Sequence, residues 1–235
     1  MAVMEIIVNE PDTLAGIFVA RLEERVRRTP RFALAFPGGS AAAVVGPPLT
    51  GAEIDWRRVH LFWVDERAVP PDHPDSNYGI ARQHFLAQLP LAPTHTHRMR
   101  AEASDLAHAA AQYDAEMRQT LGEPPRLDLA LLGVGPDGHV CSLFPGHPAL
   151  EETTRLVMAI EDAPKPPPRR LTLTLPALKD AVIVVAAFGD SKAAVIAEAV
   201  DNRESRLPLA LAIRQAREVL VLLDSGAASR LTTND

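Results

Sequence analysis

The sequence predicts an α/β fold in a single domain over residues 1–235, with a mostly parallel sheet flanked by helices. Three observations predict it. Short apolar, β-branched-rich runs alternate with stretches of helical periodicity. At 235 residues, 47% of them hydrophobic, the chain can fill one large core. Polar clusters, three of them glycine-bearing, directly follow four of the strand-like runs, and in a parallel sheet those strand ends open onto one rim.

Strands are expected at residues 5–8, 32–36, 59–64, 127–132, 171–175, 181–188 and 219–223. Helices are expected at 11–28, 40–45, 76–88, 104–121 and 191–200. The first of these helices opens at Pro11. Several of the other helices open at Ser, whose side-chain oxygen can accept a bond from a first-turn N–H. The 21 prolines gather at 47–48, 70–71, 124–125 and 164–168, so they punctuate loops and leave the elements intact. No repeat or linker divides the chain, and the small, polar tail from Ser225 is expected to fray.

A formal charge of −6 argues against a nucleic-acid partner, which calls for a basic face. A small anionic ligand remains compatible, because local cations decide its binding. Cys141 is the only cysteine, which rules out an internal disulfide. The N-terminal residues lack the basic and apolar regions of a secretory signal. Apolar runs such as 181–188 fall far short of the roughly 20 residues that cross a bilayer. A cytoplasmic protein with no membrane segment and no obligate protein partner is expected.

The loop Pro37-Gly-Gly-Ser40 joins a strand to a helix. Gly38 and Gly39 would let the backbone approach an anion at the helix N-terminus, giving a phosphate cradle. A plain tight turn capped by Ser40 fits the same residues, while a nucleophilic Ser40 lacks the last glycine of G-x-S-x-G. Gly133-Val-Gly-Pro-Asp-Gly138 formally matches the dinucleotide pattern G-x-G-x-x-G. It lies mid-chain, however, and Pro145 and Pro148 deny it the helix such a site needs. No cofactor is expected; the loop reads as a holder for Asp137 and His139, with His139 as a base that takes a proton from water. A buried histidine bonded to backbone is the competing reading.

Asp65-Glu-Arg67 follows the strand at 59–64, which makes Arg67 a candidate substrate clamp, unless the trio is only a solvated cluster. Lys165, Arg169 and Arg170 flank Pro166-Pro-Pro168, a stiff segment that could present cations to a phosphate or serve as a rigid exposed linker. Lys192 sits in the first turn of a helix, where a cation opposes the helix dipole unless an anion joins it. Of the three lysines, two fall in these loops. His95-Thr-His97 has the spacing of a metal pair but no third ligand nearby in sequence, so it reads as a solvated loop and no metal is expected. Cys141 reads as a packing residue, and His73 and His147 have no assigned place.

These motifs, taken in order, resemble the 6-phosphogluconolactonase family. The residues concerned are Pro37-Gly-Gly-Ser40, Trp56 with 59–67 and Ser76-Asn77, the run from Leu132 to Pro145, the run from Pro164 to Leu175, and Gly189-Asp-Ser-Lys192. The resemblance spans about residues 32–222 and implies a Rossmann-like sheet of the sugar-phosphate isomerase/deaminase type. It also implies hydrolysis of a phosphorylated sugar lactone, with His139 as base, Asp137 or the backbone of its loop orienting it, and Arg67 or glycine N–H groups steadying the oxyanion. Gly38, Gly39, Ser40, Asp65, Lys165, Arg170 and Lys192 would hold the substrate and its phosphate. Glucosamine-6-phosphate deaminases share the scaffold, but they carry an aromatic residue at the place of Arg67 and an Asn-Glu pair where this chain has Ser142-Leu. An aldose–ketose isomerase or a non-catalytic sugar-phosphate-binding protein could also carry such loops. The chain departs from the lactonase pattern at Val140-Cys141, where the family usually has Thr-Ala.

Overall fold

A computed structural model describes residues 3–232. The main sheet contains β1 (Val3–Val8), β2 (Phe32–Phe36), β3 (Val59–Trp63), β5 (Thr96–His97), β6 (Leu129–Gly133), β9 (Val182–Ala187) and β10 (Glu218–Leu223). Their order is β1-β10-β9-β6-β2-β3-β5, and every pairing is parallel. The central strands β2 and β9 are buried along their whole length, which is why they read as unbroken apolar runs with no alternation. The edge strand β1 instead exposes Val3, Met4, Ile6 and Val8.

Helices α1 (Pro11–Arg27), α2 (Gly39–Val45), α3 (Asn77–His84), α4 (Leu106–Leu121), α5 (Leu175–Leu178), α6 (Ala193–Asp201), α7 (Pro208–Gln215) and α8 (Ser225–Ala228) complete the chain. Burial follows the helical period: α1 turns Leu14, Phe18, Leu22 and Val26 inward. Ser76 caps α3 as expected, its Oγ accepting from the Gly79 N–H at 3.0 Å. The caps expected at Ser104 and Ser191 move. Asp105 caps α4, accepting from the His108 N–H, and a 3₁₀ turn at Asp190–Lys192 precedes α6.

A second sheet departs from expectation. β4 (Asp65–Arg67), β8 (Arg170–Leu173) and β7 (Val157–Ile160) form an antiparallel trio in the order β4-β8-β7. The run at 171–175 was expected among the parallel strands; its antiparallel pairing with 65–67 puts it here. Helix α7 was missed because its apolar run is short and lacks a polar rhythm. The tail is also firmer than expected as far as 232: Asp224 caps α8 through the Ala227 N–H at 2.7 Å and accepts from the Gly189 N–H as well. The expected fraying past 232 lies outside the described residues.

The chain runs outward in one direction after β2, to β3 and β5, and in the other after β6, to β9 and β10. β2 and β6 are neighbours, so the sheet's switch point lies between them. A crevice opens there between the loops leaving their carboxyl ends.

Candidate active site

The crevice is a cleft of about 330 Å³, at the small end for a ligand site. Gly38, Gly39, Ser40, Asp65, Arg67, His139, Lys165, Arg170 and Lys192 all border it. Asp137 does not border it and instead bonds His139 and Lys165. Segments separated in sequence thus meet at one rim.

The 133–139 loop closes on itself. The Gly135 N–H donates to the His139 carbonyl at 2.9 Å, and the Gly138 N–H donates to the Gly135 carbonyl at 2.9 Å. Gly138 has φ +82°, a conformation open to glycine, and its carbonyl accepts from the Leu209 N–H at the start of α7. Within the loop, His139 Nδ1 lies 2.6 Å from Asp137 Oδ1. A Cβ on Gly135 would fall 2.0 Å from that Nδ1, so the pair exists because residue 135 has no side chain.

Burial raises the Asp137 pKa, but bonds from Lys165 and His139 outweigh it and bring the carboxyl down to about 2. Asp137 is therefore an acceptor, which assigns the proton to His139 Nδ1 and leaves a lone pair on Nε2. Burial pushes the His139 pKa below the ordinary imidazole value, against the opposing pull of Asp137. The ring is thus neutral at neutral pH and has the protonation state of a base.

Lys165 Nζ donates to Asp137 Oδ1 at 2.9 Å. Lys192 stands near enough to Lys165 that burial first, and Lys165 second, lower its pKa. Two close cations beside one carboxylate leave positive charge for an anion to neutralise. Arg170 is buried against the Phe144 ring and turns most of its donors toward the segment carrying Lys165. Its Nε donates to the Pro167 carbonyl at 2.9 Å, and one Nη donates to the carbonyls of Lys165 at 3.0 Å and Pro166 at 3.3 Å. The other Nη makes only a long contact of 3.4 Å with Ser142 Oγ. Arg169 points elsewhere, pairing with Glu161 at 2.6 Å on the exposed side.

Asp65 is buried, accepting from Ser142 Oγ at 2.7 Å and Asn77 Nδ2 at 3.0 Å. Glu66 accepts from the backbone N–H groups of Arg67, Asn77 and Tyr78 and from Ser76 Oγ, which ties β4 to the first turn of α3. Arg67 donates to the Asp75 carbonyl at 2.8 Å and borders the cleft. The trio is therefore no solvated cluster.

In the loop after β2, Ser40 is not a cap. Gly38 holds that position and no side chain caps α2. Gly39 has φ +66°, and its helix begins with N–H groups that no side chain occupies.

His73 and His147 stay outside the cleft, bonding the Asp75 N–H and Asp162 respectively. His97 corrects the reading of 95–97 as a solvated loop. It is buried on β5, with Nε2 2.9 Å from His60 Nδ1 and Nδ1 2.6 Å from Glu116. Among the described residues no group of three His, Cys, Asp or Glu is placed to hold a metal. Val140 is fully buried, and Cys141, at φ +53°, has its thiol pKa raised by burial and by Asp65. Both therefore pack where the family's Thr-Ala would stand. Sequence reasoning gave no role to Ser142, Gly135 or Asn77. The steric need at Gly135 could have been suspected from its place between two glycines and the His139 loop end.

Fold and site together describe an α/β enzyme with a cation-lined cleft at its switch point. The chain belongs to the glucosamine-6-phosphate isomerase/6-phosphogluconolactonase family, whose model matches residues 11–222. It is 41% identical to 6-phosphogluconolactonase of Rattus norvegicus over 210 residues, covering 86% of this chain and 81% of that one. It is 44% identical over 205 residues to that of Streptomyces coelicolor, covering 82% and 77%. Among solved structures, 6-phosphogluconolactonase from Trypanosoma cruzi superposes with a TM-score of 0.86 at 26% identity, covering 99% of this chain and 98% of that one. A monomeric glucosamine-6-phosphate deaminase shares the fold, with a TM-score of 0.80 at 20% identity over 97% and 99%. No described helix is long and apolar enough to cross a membrane.

Proposed function

We propose that this enzyme hydrolyses 6-phospho-D-glucono-1,5-lactone to 6-phospho-D-gluconate in the oxidative pentose phosphate pathway, in the cytoplasm and without a cofactor or obligate protein partner. The observation that carries the reading is the His139–Asp137 pair at 2.6 Å, with a neutral imidazole at a cation-lined cleft. His139 Nε2 removes a proton from water as the oxygen attacks the lactone carbonyl. The new C–O bond gives a tetrahedral intermediate, whose oxyanion is steadied by Arg67 or by glycine N–H groups of the loops. Collapse breaks the bond to the ring oxygen, which takes the proton back from His139 and leaves as the sugar hydroxyl. Asp137 holds the tautomer and steadies the imidazolium.

The phosphate is a remote handle. The N–H groups of Gly39 and Ser40, Lys165 and Lys192 bind it, joined by the Arg170 Nη that protein groups leave nearly free. Gly38, whose missing side chain leaves room for Asn77, lines the phosphate loop, and Asp65 lines the wall beside the sugar. An isomerase would need Asp65 or Glu66 to take a proton from carbon. The oxygens of Glu66 accept four bonds from protein groups, and Asp65 is held by Ser142 and Asn77.

The test is lactone hydrolysis above the spontaneous rate, wild type against His139→Asn. The variant is expected to lose about 10²- to 10⁴-fold in kcat. A wild type that does not accelerate hydrolysis refutes the activity, and a fully active variant refutes the base.

A further inference from the structure

We infer that Asn77 reads the sugar: its Oδ1 accepts a hydrogen bond from one hydroxyl of the lactone ring, an inference that rests on the lactonase reading above. Asn77 opens α3 and is 1% exposed. Its Nδ2 donates to the Asp65 carbonyl at 2.9 Å and to Asp65 Oδ1 at 3.0 Å. Two acceptors on that side fix which way the amide faces, because the flipped amide would set oxygen against oxygen. Oδ1 is then left buried with no protein donor. A buried acceptor without a donor is uncommon and costly, so one is expected from a bound group.

The amide stands on the cleft wall against Gly38, where a Cβ would fall 1.8 Å from Oδ1. Glycine at 38 therefore keeps this place for the amide. The chemistry of the substrate narrows the donor. A phosphate dianion, a lactone carbonyl and a ring oxygen all accept and do not donate. Only the hydroxyls on C2, C3 and C4, or the attacking water, can donate to Oδ1. Asn77 is bonded to Asp65 and Glu66 and makes no bond to His139, Asp137 or Lys165, which favours a sugar hydroxyl over the water.

The experiment measures kcat/KM for the parent lactone and its 2-, 3- and 4-deoxy analogues, on the wild type and on Asn77→Ala. With the wild type, one analogue is expected to lose about 5- to 150-fold, the cost of leaving that acceptor unpaired. In Asn77→Ala the parent-to-analogue ratio for that position should fall toward one, while the other two ratios hold. A purely structural or water-holding residue would slow all four lactones alike and keep every ratio, which overturns the inference. A flat wild-type profile overturns it without any variant. Asn77→Ser supplies the same ratio should Asn77→Ala not fold. Absence of parent turnover ends the lactonase reading and this one with it, whereas parent turnover with flat ratios ends only this one.

Discussion

Replacing Gly135 with alanine tests the site's geometry with a single methyl group. The new Cβ would lie 2.0 Å from His139 Nδ1, 2.1 Å from its Cε1 and 2.5 Å from Asp137 Oδ1, where ordinary contact begins at 3.4 Å. The imidazole must therefore retreat by about 1.4 Å, or the loop must open by as much. A misplacement of about 1 Å in a reacting group can cost on the order of 100-fold. Gly135→Ala is accordingly expected to lower kcat/KM by about 100-fold or more. Overpacking costs about 1–3 kcal/mol, and each kcal/mol lowers Tm by about 2–4 °C in a protein of this size, so the fold should survive. Gly51→Ala is the matched control, since a Cβ there meets nothing within 4 Å. Lactone hydrolysis corrected for the spontaneous rate, with thermal melts of all three proteins, decides the matter. Activity in Gly135→Ala within threefold of wild type would refute the claim that this glycine makes room for the His139–Asp137 pair.

Two pH dependences follow from the same electrostatics. The acid limb of kcat/KM should fall below the ordinary imidazole value of about 6.5, because burial disfavours the charged ring. Asp137→Asn removes a group that raises the His139 pKa and should move the limb to lower pH while reducing kcat; Lys165→Met removes a cation that lowers it and should move the limb upward. Shifts in the same direction would contradict this arrangement. Away from the cleft, burial, with help from His95 and His97, holds His60 down to about 4. The unfolded chain therefore binds more protons below about 6.5, and the stability His60 lends above that pH is lost as pH falls toward 4. Tm measured from pH 7 to 4 should decline less steeply in His60→Gln, and parallel curves would show that His60 is not a source of the slope.

The parallel sheet was legible because strands covered on both faces carry no polar alternation, so β2 and β9 announce themselves as apolar runs. The small sheet was not. β4 is three residues long and wholly polar, so only its distant pairing with β8 makes it a strand. The same limit governs the site. Residues at strand ends could be named from sequence, most of them in loops where glycine or proline marks unusual backbone, and Asp65 and Arg67 by the apolar strand that precedes them. Asn77 and Ser142 sit in local sequence without such marks, and their meaning comes from Asp65, which lies 77 positions from Ser142. Arg170 shows a subtler gap: its charge suggested a phosphate contact, whereas most of its donors steady the backbone around Lys165.

The place of β10 between β1 and β9 bears on how the chain reaches this state. β1 has a single neighbour in the sheet, and that neighbour begins at Glu218. On the ribosome, β1 emerges roughly 200 residues before β10 does, a wait of about 10–40 s at ordinary synthesis rates. Throughout that interval Val3, Met4 and Ile6 belong to an unpaired apolar segment, open to chaperones or to another nascent chain. Among the described strands, the last made is thus the one that joins the first to the body of the sheet.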